Sequence, residues 1–195
     1  MLTRSAKRVL LPIFLFLLAL SLCLLPGSVA QATTPAASAA SAASPAASAV
    51  PAVHKHVVVN GRVGHRLRLS FGDLRAFPQH TQDVDFLSGK GPEHHTYVGP
   101  LLLDVLKSAA PSFNPGIKND SLRYAILIKA SDGYESVLSW PEIDPNFGGK
   151  QALLAVSEDG VPLDSAGPRL TAPGDSRGGR YVFSVVSVTL IKIGD

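Results

Sequence analysis

Between Gln31 and Ala52 the chain carries no charge and no large apolar side chain. This stretch holds 11 Ala, 4 Ser, 3 Pro and 2 Thr, and the unit Ala-Ala-Ser recurs at 36–38, 39–41, 42–44 and 46–48. Nothing there offsets the entropy of ordering. Ala favours helix, but Pro35, Pro45, Pro51 and the regular Ser oppose a stable one. Residues 31–52 are therefore expected to be a disordered linker, spanning on the order of 25 Å. A spacer between a domain and a membrane or wall, and a plain mature N-terminus, both fit this composition. The linker confines any hydrophobic core to residues 53–195, about 143 residues, which is enough for one domain.

The residues before the linker have a different chemistry. Arg4, Lys7 and Arg8 precede an almost unbroken apolar run from Val9 to Leu25, and Ser28-Val29-Ala30 then places small residues where a signal peptidase reads. Residues 1–30 are expected to be a signal peptide cut before Gln31, which puts the mature protein in the periplasm or outside the cell. A lipoprotein reading would use Cys23, but Leu22 stands before it where a small residue is expected. An uncleaved anchor is the other alternative, since about 17 apolar residues reach the short end of a membrane span. Contact with a membrane is expected only through this segment, if it stays uncut. Lys7-Arg8 only loosely approximates a twin-arginine signal.

Charge and thiol content narrow the function classes. The whole chain has 18 Lys and Arg against 15 Asp and Glu, a net +3, and the three cations of the first segment account for all of it. The remainder is neutral, so no nucleic-acid partner is expected, because such binding rests on excess Lys and Arg. The single Cys is Cys23. Residues 31–195 thus offer no disulfide, no thiolate metal ligand and no Cys nucleophile.

The rest of the chain reads as strands interrupted by short helices. Val57-Val58-Val59 with Asn60-Gly61 reads as a strand and tight turn, and Arg66 to Leu69 as its partner. Ser70 with Asp73 caps a short helix that Pro78 ends. Val84 to Leu87 reads as a strand, and Leu101 to Leu106 as a helix closed by Pro111. Leu122 to Ala130, Asp132-Gly133 and Tyr134 to Leu138 form a hairpin pattern. Trp140 to Ile143 starts a helical turn. Leu153 to Val156 and Val161 to Leu163 flank a second turn at Glu158-Asp159-Gly160, and Tyr181 to Ile193 is a long β-branched strand. Without regular βαβ alternation the fold class is α+β, mixed β-sheets with short helices. The core candidates are Leu102, Leu106, Leu127, Leu153, Val182, Val185, Val188 and Leu190.

Among the motifs, Pro173-Gly174-Asp175-Ser176-Arg177-Gly178-Gly179-Arg180 is the most informative. Its three glycines let backbone N–H groups turn toward one point, and its two arginines are fork-shaped donors suited to phosphate or carboxylate. A surface turn has the same composition, and the stretch is not a Walker loop, since Gly-Lys-Ser/Thr is absent. His54 and His56 would share a face of a strand. His94 and His95 follow Glu93 in a Gly/Pro-rich loop and are read as solvated polar residues, so no metal site is expected. Asp83 and Asp85 share a face if 84–87 is a strand, read as an exposed one. Trp140 and Tyr134 could stack on a ligand or sit in the core or its rim. No Gly-x-Ser-x-Gly elbow occurs.

Several segments in order resemble the molybdopterin-binding domain of the sulfite oxidase family, in its small exported stand-alone form. They are Leu69 to Gln79, Tyr97-Val98-Gly99-Pro100-Leu101 to Leu106, Ala130 to Tyr134 with Trp140 to Gly148, and Arg169 to Arg180 continuing to Val188. The resemblance spans about residues 55–193 and implies a sulfite-oxidase-like molybdopterin-binding fold. It implies that the loop cradles a pterin and its phosphate, which carries over to Gly178, Gly179 and Arg180; Arg177 is added from the loop's composition. In the family a Cys at the end of the strand after Leu-Pro-Gln holds molybdenum, and counting places that position at about Ser88 here. A serine hydroxyl is a poor replacement for a soft thiolate. The family's molybdenum cofactor is inserted before folded, twin-arginine export, whereas this signal resembles one for unfolded chains. The expected function is a non-redox, molybdopterin-binding-like exported module. It takes a small anionic or pterin-like ligand, or an envelope protein partner, through Arg177, Gly178, Gly179 and Arg180. The expected cofactor is none, with molybdopterin allowed by the resemblance. The alternatives are a molybdopterin-dependent oxidoreductase with atypical metal ligation at Ser88, and a structural envelope protein.

Overall fold

The computed structural model describes residues 56–194. The expected signal peptide, the linker and His54 lie outside these residues. In chain order the elements are β1 (His56–Gly61), β2 (Leu67–Ser70), α1 (Phe71–Ala76), β3 (His80–Ser88), β4 (Gly91–Gly99), α2 (Leu102–Ser108), β5 (Tyr124–Ala130), β6 (Glu135–Ser139), α3 (Trp140–Ile143), β7 (Leu154–Ala155), β8 (Ser157–Glu158), β9 (Val161–Pro162), β10 (Arg169–Leu170) and β11 (Val185–Lys192). Mixed sheets with few short helices agree with the α+β expectation. Among the described residues no helix is long and apolar enough to cross a membrane.

One sheet has five strands in the order β2-β1-β11-β5-β6, with β1 and β11 parallel and the other neighbours antiparallel. The second runs β3-β4-β8-β9, all antiparallel, and a short ribbon joins β10 to β7. Alternation sets the buried face of the large sheet. Val57, Val59, Ile126, Ile128, Leu138, Val188 and Leu190 point inward and are at most 1% exposed. Leu102, Val105 and Leu106 of α2 are buried in the same core, each contributing roughly 1.5–3 kcal/mol by leaving water. Seven of the eight core candidates are buried, but Leu127 is not. It lies between Ile126 and Ile128 and so points to the opposite face of β5.

The helices start where the sequence places them. Asp73 N–H donates to Ser70 Oγ at 3.2 Å and Ser70 N–H donates to Asp73 at 2.8 Å, closing a capping box before α1. Ser139 and Glu142 do the same for α3. Asn60-Gly61 is not the turn of the first hairpin. Gly61 ends β1 at φ +93° and sits so close to β11 that a Cβ there would lie 2.2 Å from Leu190 O. Five residues, 62–66, then make the connection. The expected long strand from Tyr181 begins only at Val185, because Ser184 takes a positive φ of 49°.

His94 and His95 belong to β4, not to a loop, and β3 is extended in both directions to pair with all nine residues of β4. The second sheet thereby projects a hairpin tip, Ser88 to Gly91, toward the loop between β10 and β11. Leu87 N–H donates to Ser176 O at 3.0 Å, fixing the loop to the tip of β3.

Candidate functional site

The β3–β4 tip and the 173–180 loop enclose a cleft of about 810 Å³. Ser88, Arg177, Gly178 and Gly179, four of the five expected site residues, line it together. The sequence separates Ser88 from the other four by 89 to 92 positions, and the Leu87–Ser176 contact is what joins the tip to the loop.

Arg180 is placed differently. Its Nε and Nη2 donate to Asp175 at 2.7 and 2.6 Å, and its Nη1 donates to Glu142 Oε1 at 2.8 Å. Lys150 Nζ adds a third cation–carboxylate contact, 2.9 Å from Asp175 Oδ1. Both partners hold the Arg180 guanidinium charged, raising its pKa, and the Arg180 hydrogen bond lowers that of Asp175. Burial works against the Glu142 charge, but the Ser139 and Arg180 bonds outweigh it and its pKa falls. One carboxylate therefore caps α3 and receives Arg180, so the network ties the loop to that helix. The Arg180 side chain is committed to holding the loop in shape. The Arg177 side chain makes no hydrogen bond or ion pair among the described residues, and the residue lines the cleft.

The Ser88 hydroxyl is also engaged. It donates to Glu93 Oε1 and accepts from Lys90 N–H at 2.9 Å, closing the hairpin tip. The Ser88 bond, with His95 behind it, holds the Glu93 carboxyl below its usual range.

The sequence reading missed His95, Lys90, Arg169 and Phe183, which complete the cleft. Adjacent strand residues face opposite ways, so His94 turns outward to Asp85 at 2.9 Å while His95 faces the cleft. His95 is not a solvated side chain. Its Nδ1 lies 2.8 Å from Asp159 Oδ2 and 3.4 Å from Glu158 Oε1, and its Nε2 lies 3.1 Å from Glu93 Oε2. The rings of Phe86 and Tyr97 flank it, each with its centroid 5.8 Å away. Burial opposes the His95 charge, but the bonds to Asp159 and Glu93 and the charge of Glu158 prevail and raise its pKa. Arg169 donates to Glu158 and to Tyr97 Oη, and its guanidinium lies 3.5 Å from the centre of the half-exposed Phe183 ring. Burial pushes the Tyr97 phenol well up. The signal that could have found His95 was the period-2 placement of His95 and Tyr97 on one strand face.

His95, Glu158 and Asp159 bring one nitrogen and two carboxylate oxygens within 4.8 Å of one another. Glu158 Oε1 already accepts from Arg169 and Tyr97, so a cation there would meet the Arg169 charge. The donor set around Ser88 does not fit molybdenum either. The chain's one thiol is Cys23, and the Ser88 hydroxyl is held by Glu93 and the Lys90 amide. The paired aspartates of β3, Asp83 and Asp85, share an exposed face and bind Thr96 and His94. Trp140 is buried, and Tyr134 is exposed with its hydroxyl donating to Gly179 O.

No protein-family model matches the sequence, and no curated protein matches it. Among solved structures, the crystal structure of the sulfane dehydrogenase SoxCD from Paracoccus pantotrophus is similar, with a TM-score of 0.57 at 19% identity. The alignment covers 72% of this chain and 39% of that one, so the chain spans about two-fifths of its length. The likeness is one of fold alone, shared over 72% of this chain.

Proposed function

We propose that the protein is a non-redox binding module whose cleft takes a small anionic ligand with a flat, pterin-like part. The observation that carries this reading is the pair of unmatched cation heads at the cleft. The Arg177 guanidinium and the Lys90 ammonium make no hydrogen bond or ion pair among the described residues, and both residues line the cleft. Gly178 and Gly179 bring backbone to the same wall, and Phe86 and Phe183 supply apolar faces. Clefts that bind small molecules combine apolar walls with a few placed polar groups in this way. The reading includes export by the N-terminal segment, so the ligand is met outside the cytoplasm, alone or on an envelope protein partner. A molybdopterin-dependent oxidoreductase has the shared fold in its favour and the Ser88 donor set against it.

Two measurements test the proposal. Protein purified from its own cell envelope is analysed for molybdenum and for pterin fluorescence; stoichiometric molybdenum with pterin would establish the oxidoreductase reading instead. The full chain is then titrated with inorganic phosphate. Arg177→Ala is expected to weaken binding about tenfold or more, the worth of a hydrogen bond to a charged group. Unchanged affinity would remove Arg177 from the site.

A further inference from the structure

We infer that His95 is the conditional cation of the cleft: protonated, it completes a wall that admits an anion, and neutral, it leaves carboxylates that repel one. The inference rests on the anion-binding reading above and adds its regulation by pH.

The geometry is that of an imidazolium. Carboxylates stand at both ring nitrogens, Asp159 and Glu158 at Nδ1 and Glu93 at Nε2. A neutral imidazole has one N–H, so on one side its lone pair would face a carboxylate oxygen at about 3 Å. The protonated ring donates on both sides.

The charged groups around the ring come from six places. Glu93 stands on β4, Glu158 on β8 and Asp159 in the turn after it. Arg169 of β10 is bound to Glu158, Lys90 at the hairpin tip acts on Glu93, and Arg177 faces the cleft from the loop. Phe86 and Tyr97 close the remaining sides with rings. His94 and Asp85 pair on the opposite face of the β3–β4 hairpin. With His95 charged, four cations meet three carboxylates; with His95 neutral the excess disappears. His95 is the imidazole among these four, the side-chain type whose charge changes near neutral pH. Its pKa is raised above the ordinary 6.5 by Asp159 and Glu93 despite partial burial. The cation is therefore complete below about pH 6.5 and is lost as the pH rises through the raised value.

The test uses the full chain and inorganic sulfate, a dianion throughout the range, followed by the amide signals of Gly178 and Gly179. Sulfate is expected to bind roughly tenfold more weakly at pH 9 than at pH 6, the effect of removing one nearby charge. His95→Gln is expected to bind at the weak level at both pH values, and His94→Gln to keep the wild-type dependence. Because linkage is reciprocal, saturating sulfate should raise the His95 titration midpoint in the wild-type protein by about one pH unit. That last reading needs no variant to fold. Equal sulfate affinity at both pH values, or an unmoved His95 midpoint, overturns this inference alone. No sulfate response at Gly178 and Gly179 at any pH overturns the anion-binding reading, and this inference with it.

Discussion

Gly178 and Gly179 are chain neighbours on the same cleft wall, yet alanine should act on them in opposite directions. A Cβ on Gly178 would lie 2.8 Å from Phe86 Cε2 and 2.9 Å from Cδ2, whereas Gly179 has nothing within 4 Å of the same position. Ordinary carbon contacts begin near 3.5 Å, so one partner at Gly178 must retreat by about 0.6 Å or more. Phe86 has little room. It is 7% exposed, and its ring packs at 4.3 Å against that of Tyr181. The loop is pinned as well, by Leu87 N–H to Ser176 O and Tyr181 N–H to Gly178 O, both 3.0 Å. Overpacking of this kind costs about 1–3 kcal/mol. The smaller entropy of the unfolded alanine chain returns about 0.4–1 kcal/mol. Gly178→Ala should therefore lose about 1–2 kcal/mol, a fall of roughly 4–8 °C in Tm. Gly179→Ala receives only the favourable part and should be neutral or up to about 1 kcal/mol more stable. Urea unfolding of both variants, with m unchanged, measures the difference. Equal shifts for the two, or a neutral Gly178→Ala, would refute the claim that Gly178 is fixed by its contact with Phe86.

Arg180→Ala should destabilise the protein by about 1–2 kcal/mol, kept modest because the network is partly exposed and screened. Arg180→Lys should recover less than half, since one ammonium cannot reach both carboxylates in the same geometry. The same variant should change the acid limb of stability. Asp175 and Glu142 have lowered pKa values in the fold, so their contribution is complete above their ordinary values and is lost as the pH falls through the lowered ones. Arg180→Ala should flatten that fall in a series of unfolding curves from pH 6 to pH 2; an unchanged slope would show that the network does not carry it. Tyr181 has a buried hydroxyl with no hydrogen-bond partner among the described residues, and burial raises its pKa to about 12. Tyr181→Phe removes that orphan group and should be neutral or stabilising by up to about 1 kcal/mol. A loss of more than 1 kcal/mol would mean that the hydroxyl has an ordered partner.

What could be read from the sequence was local. Ser70 with Asp73 and Ser139 with Glu142 specify helix starts within four residues, and Asp132-Gly133 specifies a turn between adjacent strands. Apart from the late start of β11 at the positive φ of Ser184, the misreadings depend on distant chain. Asn60-Gly61 has the composition of a tight turn, but pairing of Gly61 with Leu190 draws it into the sheet. Leu127 sits in the apolar run 125–128, where alternation gives no sign of which face is buried; β6 and β11 decide it. The His94-His95 segment carries Gly91 and Pro92 and looks like a loop. It becomes strand because β3 offers a nine-residue partner. In the 173–180 loop, composition makes Arg177 and Arg180 equivalent, and the bonds of Arg180 to Asp175 within the loop and to Glu142 from another part of the chain separate their roles.

That separation gives the cleft its chemistry. If the hairpin tip were a metal site with serine replacing a thiolate, Ser88 Oγ should be short of partners inside the fold. It is saturated instead, donating to Glu93 and accepting from Lys90. Arg180, one of the three residues carried over from the resemblance, is enclosed by Asp175 and Glu142. The heads still able to meet a ligand are those of Arg177 and Lys90, beside the exposed Phe183 ring, while the imidazole of His95 is held by Glu93 and Asp159 in the same cleft. The fold is similar to that of a sulfane dehydrogenase, and the cleft of this chain offers cation heads and carboxylates with no soft donor among its lining residues. On the reading proposed above, the cation heads of the cleft hold an anion without any change of oxidation state, and the protonation of His95 sets the strength of that hold.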